Sequence, residues 1–263
     1  MPLELNNLET RLEELDRHGY TVFPRYLDLR TTAEIRRHVD EIAGPIVRTD
    51  ARTARRDLRH PIPGESMARL AGNRTTLALA ATIIGSSELR MREQVLVRTG
   101  PSFPPYGALG WHIDAAFYRD EFEAHPKQVY YQMPHYCSPV VPGGAAFMIV
   151  PDSHRCSMKA SDELIRRIGK QPIQSQTAVV HVVDDAEDVE ICGDDGDLIL
   201  FNSLCYHTAS PNRTTEPRYV FFTSFYHQSA ARLKQLIRST GYRDNLPDSL
   251  QVGLAPDLRT LLD

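Results

Sequence analysis

The sequence predicts a single β-rich domain with a helical N-terminal flank. Apolar residues recur at helical spacing in the first third of the chain, and an alternating run begins at Leu89. The strand-like runs that follow are separated by clusters of Pro, Gly, Asn and Asp. Because the 263 residues contain no linker-like segment, we expect one domain. Its parts are a helical flank at 1–88, a core at 89–228, and a C-terminal helix and tail at 229–263.

Three helices are predicted in the flank. Four leucines recur at helical spacing in the first: Leu5, Leu8, Leu12 and Leu15. Gly19 is placed to end that helix, and Thr32 is placed to cap the second. The apolar stripe of the second helix is Ile35, Val39 and Ile42. This helix should stop at Gly44, and an Ala- and Leu-rich third helix over residues 66–84 should end at Gly85.

The remainder of the chain is predicted to be mostly sheet. Residues 89–98 alternate with a period of two, with one polar–apolar mismatch on each face. Five further strand-like runs follow: 128–133, 145–150, 177–183, 197–202 and 218–226. Two short helices are predicted between or after these strands, at 162–168 and 230–240.

Composition excludes several classes of protein. Thirty basic and 34 acidic residues give a net charge of −4, so the chain has no global electrostatic reason to bind nucleic acid or an anionic membrane. No apolar run is long enough for a membrane span, and the N-terminus does not resemble a secretory signal. The four cysteines form no CxxC pair, which favours reduced thiols in a cytoplasmic protein.

An arginine-rich stretch at residues 48–59 shows no periodicity. The simpler interpretation is a solvated loop. The sharper one is a mobile segment near the mouth of a site, where its charges meet an anionic substrate. Both interpretations remain open from sequence alone.

The candidate chemistry begins with His112 and Asp114. On an extended strand, residues at i and i+2 leave the same face, so the imidazole and the carboxylate can reach one cation. His207 is the best candidate for a third ligand, because it follows an apolar strand-like run. Two imidazoles and one carboxylate form the facial triad of non-haem Fe(II) oxygenases. The alternative is that these side chains only form hydrogen bonds in a core.

Arg218 opens the strand that follows His207, where its guanidinium can hold a carboxylate through two hydrogen bonds. This suits the far carboxylate of a 2-oxo acid. A second His-x-Asp pair, His38 and Asp40, lies in a predicted helix, where i and i+2 point in different directions. It is therefore excluded as a metal site.

Three sequence blocks, taken with their order, resemble the phytanoyl-CoA dioxygenase-like (PhyH) family of Fe(II)/2-oxoglutarate oxygenases. Residues 111–114 (WHID) are similar to its WHxD element, and residues 147–155 (FMIVPDSHR) to its Pro-Gly-Ser-His segment. Residues 196–201 (GDLILF), followed by His207 and Arg218, resemble its distal-histidine block. The segment at 19–22 (GYTV) is like the family's N-terminal opening.

The resemblance implies a mainly β fold of α+β type, a double-stranded β-helix (jelly roll) with N-terminal helices packed outside. It implies iron held by the candidate triad and 2-oxoglutarate held by Arg218, with O2 as the second cosubstrate. It also carries over Gln94 and Tyr130 as residues lining the cosubstrate site. Phe117 and Tyr118 follow the metal loop and are candidates for the substrate cavity, with packing in the core as the alternative.

Two positions depart from the family pattern. Asp152 stands where a glycine is usual, so a different turn is expected there. Ala209 stands where some members place a serine that binds the cosubstrate carboxylate, and Ser210 or a tyrosine is the expected replacement.

The resulting hypothesis is a dioxygenase that hydroxylates an unactivated C–H bond of a small molecule and releases succinate and CO2. Desaturation, epimerisation and cyclisation use the same ligand set. Two alternatives remain: a non-catalytic jelly-roll binding protein with a degenerate metal site, and a cupin-like metalloenzyme that uses no 2-oxo acid. The sequence identifies neither the substrate nor the oligomeric state.

Overall fold

The computed structural model describes residues 7–50, 54–58, 65–106, 110–159, 187–239 and 248–263. The strand predicted at 177–183 and the helix predicted at 162–168 lie outside these residues. None of the helices described is both long and apolar enough to cross a membrane.

Most of the helices lie in the N-terminal and C-terminal parts of the described chain. They are α1 (Leu8–His18), α2 (Leu29–Ala43), α3 (Glu65–Ala71), α4 (Arg74–Ile84), α5 (Arg119–Glu123), α6 (described over 153–159), α7 (Ala231–Ser239), α8 (Asp248–Gly253) and a 3₁₀ helix (Pro256–Leu262). The strands are β1 (Tyr20–Phe23), β2 (Thr49–Asp50), β3 (Arg55–Leu58), β4 (Leu89–Thr99), β5 (Ser102–Phe103), β6 (Tyr131–Tyr136), β7 (Phe147–Ile149), β8 (Val189–Ile191), β9 (Leu198–Asn202), β10 (His207–Ala209) and β11 (Arg218–His227).

Two antiparallel sheets form the core, as expected for a jelly roll. The larger has the strand order β1-β9-β6-β11-β4-β3, and the smaller has the order β10-β7-β8. One apolar cluster joins inward-facing residues of both sheets, among them Val97, Val220 and Ile149. A second cluster packs the other face of the larger sheet against the helices. The long strands β4 and β11 are therefore buried on both faces.

Glycines end the predicted helices where the sequence indicates. Gly19 and Gly85 have φ values of +79° and +84°, and each donates its N–H to a carbonyl of the last helical turn. Gly44 ends α2 in the same way, with φ +70°. These conformations favour glycine because it has no Cβ.

Other boundaries differ from the predictions. The cap of α2 is Asp28, whose carboxylate accepts the N–H of Thr31, and the predicted cap Thr32 lies inside the helix. Ile42, expected in the apolar stripe, is 47% exposed. The predicted third helix is two helices, because Asn73 starts a new one by capping the N–H groups of its first turn.

The arginine-rich stretch is not simply a loop. Part of it forms β3, which pairs with β4 at the edge of the larger sheet, and part forms β2, which pairs in parallel with β5. The strand predicted from residue 128 begins at Tyr131.

Candidate metal centre

The structure brings His112, Asp114 and His207 together between the two sheets. One ligand atom from each side chain lies within 4.8 Å of the others. Oδ1 of Asp114 is 3.8 Å from Nε2 of His112 and 3.6 Å from Nε2 of His207. The three donors therefore converge on one point, as a facial triad requires.

Backbone hydrogen bonds hold the two histidines beside each other. The N–H of His112 donates to the carbonyl of His207 and the N–H of His207 donates to the carbonyl of His112, both at 3.0 Å. The N–H of Asp114 donates to the carbonyl of Ser203. The ligand segments are thus placed by main-chain pairing between residues that are distant in sequence.

Both imidazoles are also oriented through their second nitrogen. Nδ1 of His112 lies 2.7 Å from the carbonyl of Gly110, and Nδ1 of His207 lies 2.8 Å from the carbonyl of Cys205. A carbonyl only accepts, so each Nδ1 carries the proton and each Nε2 keeps its lone pair. This is the arrangement in which histidines bind metal.

The electrostatics of the site suit a cation. Burial lowers the pKa of His207 to about 4, so its imidazole is neutral at pH 7. Oδ2 of Asp114 is buried and has no hydrogen-bond partner among the described residues. A buried carboxylate oxygen without a hydrogen-bond partner, beside the neutral imidazole of His207, is costly without a cation. The residues present therefore fit a divalent metal such as Fe(II).

A cavity of about 220 Å³ adjoins the triad. His112 and His207 line it, together with Arg218, Thr99 and Phe222. Arg218 is only 4% exposed, and its Nη1 donates to the carbonyl of Ala145. The cavity thus connects the candidate ligands to a buried guanidinium. A larger groove of about 460 Å³ between α4 and the 3₁₀ helix contains none of the triad.

The four other predicted site residues, Gln94, Tyr130, Phe117 and Tyr118, are not among the described residues that line this cavity. Tyr130 is fully buried, with the guanidinium of Arg92 4.1 Å from its ring centre and Phe117 packed edge-on at 5.8 Å. Tyr118 precedes α5 and stacks under the guanidinium of Arg232 at 4.6 Å. Gln94 donates to the carbonyl of Met67 at 3.2 Å, on the helical side of β4.

A buried polar cluster near Tyr130 was not predicted. Glu93 accepts hydrogen bonds from Arg92 and, at 2.7 Å, from Gln132. The pairing of β4 with β11 shifts register at this point, between Ser224 and Phe225. The signal in the sequence is the acidic residue that interrupts the apolar face of β4. The register shift is a β-bulge, and a bulge changes the direction in which neighbouring side chains point.

The structure shows how the chain accommodates the two positions that depart from the family pattern, Asp152 and Ala209. Asp152 has φ +62°, the left-handed conformation that glycine favours and that aspartate tolerates better than most residues. Ala209 supplies no hydroxyl. The hydroxyl of Ser210 donates to Glu190 at 2.8 Å, while Tyr106 lines the cavity.

Comparison with known proteins identifies a family and a set of similar folds. The model of the phytanoyl-CoA dioxygenase (PhyH) family matches residues 15–220. No curated protein sequence matches the chain. Several solved structures share its fold with 16–18% identity.

Three of these structures illustrate the similarity. SnoN, the non-haem α-ketoglutarate-dependent epimerase of nogalamycin biosynthesis, has a TM-score of 0.59 at 18% identity, covering 85% of this chain and 84% of SnoN. HygX from Streptomyces hygroscopicus, solved with nickel, 2-oxoglutarate and hygromycin B, has a TM-score of 0.59 at 16% identity, covering 84% and 87%. EvdO2 from Micromonospora carbonacea var. aurantiaca has a TM-score of 0.56 at 16% identity, covering 83% and 90%.

Proposed function

The chain belongs to the phytanoyl-CoA dioxygenase (PhyH) family, and on this premise we propose that it is a non-haem Fe(II)- and 2-oxoglutarate-dependent dioxygenase acting on a small molecule. The observation that carries the proposal is the convergence of His112, Asp114 and His207 beside a cavity that ends at a buried guanidinium.

Each side chain of the site has a defined task. His112, Asp114 and His207 would hold the metal through two neutral nitrogens and one carboxylate, leaving open positions for other ligands. Arg218 would bind the far carboxylate of 2-oxoglutarate, because its guanidinium is fixed by the Ala145 carbonyl and desolvated. When bound, Fe(II) couples oxidative decarboxylation of 2-oxoglutarate by O2, which yields succinate and CO2, to oxidation of a C–H bond.

The surrounding apolar walls protect this chemistry from water. Phe147 and Phe201 pack on the His207 ring, with centroid distances of 5.3 Å and 4.7 Å. They restrict the imidazole to one orientation and keep bulk water from the buried side of the site.

We assign hydroxylation as the reaction outcome and a natural-product-like small molecule as the substrate. The support is by analogy: HygX was solved with hygromycin B, and SnoN acts in nogalamycin biosynthesis. Because SnoN is an epimerase, epimerisation is the second candidate outcome. An anionic substrate is favoured by the arginine-rich stretch at residues 48–59, part of which forms β3 beside the cavity. A cytoplasmic location is favoured by four free cysteines.

The first test is anaerobic addition of Fe(II) and then 2-oxoglutarate to the protein, followed by visible spectroscopy. We expect a weak metal-to-ligand charge-transfer band in the wild type and none in His112→Ala, because the variant loses a nitrogen ligand. His125→Ala removes an exposed imidazole outside the triad and should keep the band. A wild type that retains no metal contradicts the proposal and favours a binding protein.

Arg218→Ala separates the proposal from a metalloenzyme that uses no 2-oxo acid. The variant should retain metal but require far more 2-oxoglutarate to give the band. If activity on any substrate persists in this variant without 2-oxoglutarate, the cupin-like alternative holds.

A further inference from the structure

Three polar side chains form a row across the larger sheet beside the triad. Thr99 of β4 pairs directly with Arg218 of β11 on one side and with Arg55 of β3 on the other. Residues directly opposite in antiparallel strands have Cβ atoms about 4.5–5.5 Å apart and point to the same face. The two guanidiniums therefore stand on the same face, with a hydroxyl between them.

The same row lines the cavity beside His112 and His207. Exposure increases along it: Arg218 is 4% exposed, Thr99 is 9% exposed, and Arg55 lies at the exposed rim. The row thus extends from the base of the cavity to its mouth.

The cavity has no acidic lining among the described residues. Its charged lining residues, apart from the histidines, are Arg55 and Arg218. The hydroxyl expected at residue 209 is missing, and the Ser210 hydroxyl is bonded to Glu190. An anion bound by Arg218 would therefore meet the hydroxyl of Thr99, the direct cross-strand neighbour of Arg218, and a second cation at Arg55.

We propose that Arg55 and Thr99 complete the carboxylate site of Arg218, so that the far carboxylate of a 2-oxo dicarboxylic acid is held from both sides of the row. The inference rests on the proposed function and adds two specificity-determining residues to it. The site then prefers a 2-oxo dicarboxylic acid over a 2-oxo monoacid by a larger factor in affinity than Arg218 alone would give.

The test is a calorimetric titration of the Mn(II)-loaded protein, because Mn(II) does not start turnover. Two ligands are compared, 2-oxoglutarate and 2-oxopentanoate, which lacks the far carboxylate. Arg55→Gln should weaken 2-oxoglutarate binding by about 3- to 10-fold, since one rim-exposed charge-assisted contact is lost. It should change 2-oxopentanoate binding by less than about 2-fold. Thr99→Val should weaken the dicarboxylate in the same selective way, and Arg55→Lys should restore part of the loss.

The matched control is Arg213→Gln. Arg213 is exposed at the same mouth, with its guanidinium 4.9 Å from the Tyr106 ring centre, but it does not line the cavity. Arg213→Gln removes the same charge as Arg55→Gln and should leave the affinities for 2-oxoglutarate and 2-oxopentanoate unchanged. Unaltered Mn(II) affinity in every variant shows that the triad is intact.

The possible outcomes distinguish a failure of this inference from a failure of the proposed function. If the wild type binds 2-oxoglutarate and Arg55→Gln binds it equally well, the inference is wrong and the proposed function stands. Equal weakening of both acids, or equal effects of Arg55→Gln and Arg213→Gln, also overturns it, because the far carboxylate is then not what Arg55 contacts. If the wild type binds neither acid, the proposed function fails and the inference fails with it.

Discussion

Gly19 ends α1 at a point of close packing, and its replacement by alanine tests how tightly the segment before His207 is held. Its φ of +79° is in the left-handed region. A Cβ added there would stand 2.5 Å from Nδ1 of His154 and inside the van der Waals distance of Sγ of Cys205. The Gly19 carbonyl also accepts the N–H of Asn202 at 2.8 Å. Backbone and side chains on both sides therefore resist movement.

The expected loss of stability for Gly19→Ala has two parts. A non-glycine residue in the left-handed conformation costs about 1–2 kcal/mol. Overpacking at a well-packed site costs about 1–3 kcal/mol more. The free energy of unfolding should therefore fall by about 2–5 kcal/mol.

Gly143→Ala is the matched control, because it isolates the backbone contribution. Gly143 has φ +68°, but the nearest atom to an added Cβ is 3.7 Å away on the Arg213 side chain. This variant should lose only about 1–2 kcal/mol. Urea unfolding of the metal-free proteins, followed by circular dichroism with equal m-values, measures both losses. Equal losses in the two variants would refute the packing argument.

Two further predictions concern buried charge. Burial lowers the pKa of His135 from its ordinary 6.5 to about 4, so between these pH values the unfolded chain binds a proton that the folded chain does not. The free energy of unfolding should therefore fall as the pH drops from 6.5 to 4, by up to about 1.4 kcal/mol per pH unit from this group. When unfolding is measured at pH 7 and at pH 5, His135→Phe should show a smaller difference between the two than the wild type. Arg98, which is 4% exposed, donates to Asp40 and to the last carbonyls of α2. Arg98→Met should lower the free energy of unfolding by about 2–4 kcal/mol. Arg37→Met, which removes an exposed arginine of α2, should change it by less than about 0.5 kcal/mol.

The elements that depend mainly on neighbouring residues in the sequence could be predicted. Helix ends follow from glycines that occupy positive φ, and the long strand from residue 89 follows from its alternation. The cap of α2 was misplaced because Asp28 and Thr32 are both suitable residue types, and only the backbone conformation selects Asp28. The short strands β8 and β10, of three residues each, are too short to show a period.

The candidate site also has one part that could be predicted from the sequence and one part that could not. His112 and Asp114 are neighbours in sequence, so their shared face could be predicted from spacing. The row that joins Arg55 to Arg218 depends on the pairing of β3 and β11 with the two edges of β4. Non-local register of this kind leaves no mark in the arginine-rich stretch, whose residues look like those of a loop.

The reciprocal backbone pair between His112 and His207 gives a bound metal a second effect. Coordination would cross-link two segments from distant parts of the chain, and the pair already holds them at bonding distance, so little ordering entropy opposes it. At a free metal concentration 100 times the dissociation constant, such a cross-link adds about 2.7 kcal/mol to stability. Metal supply would then govern how long the protein survives proteolysis, as well as how fast it works.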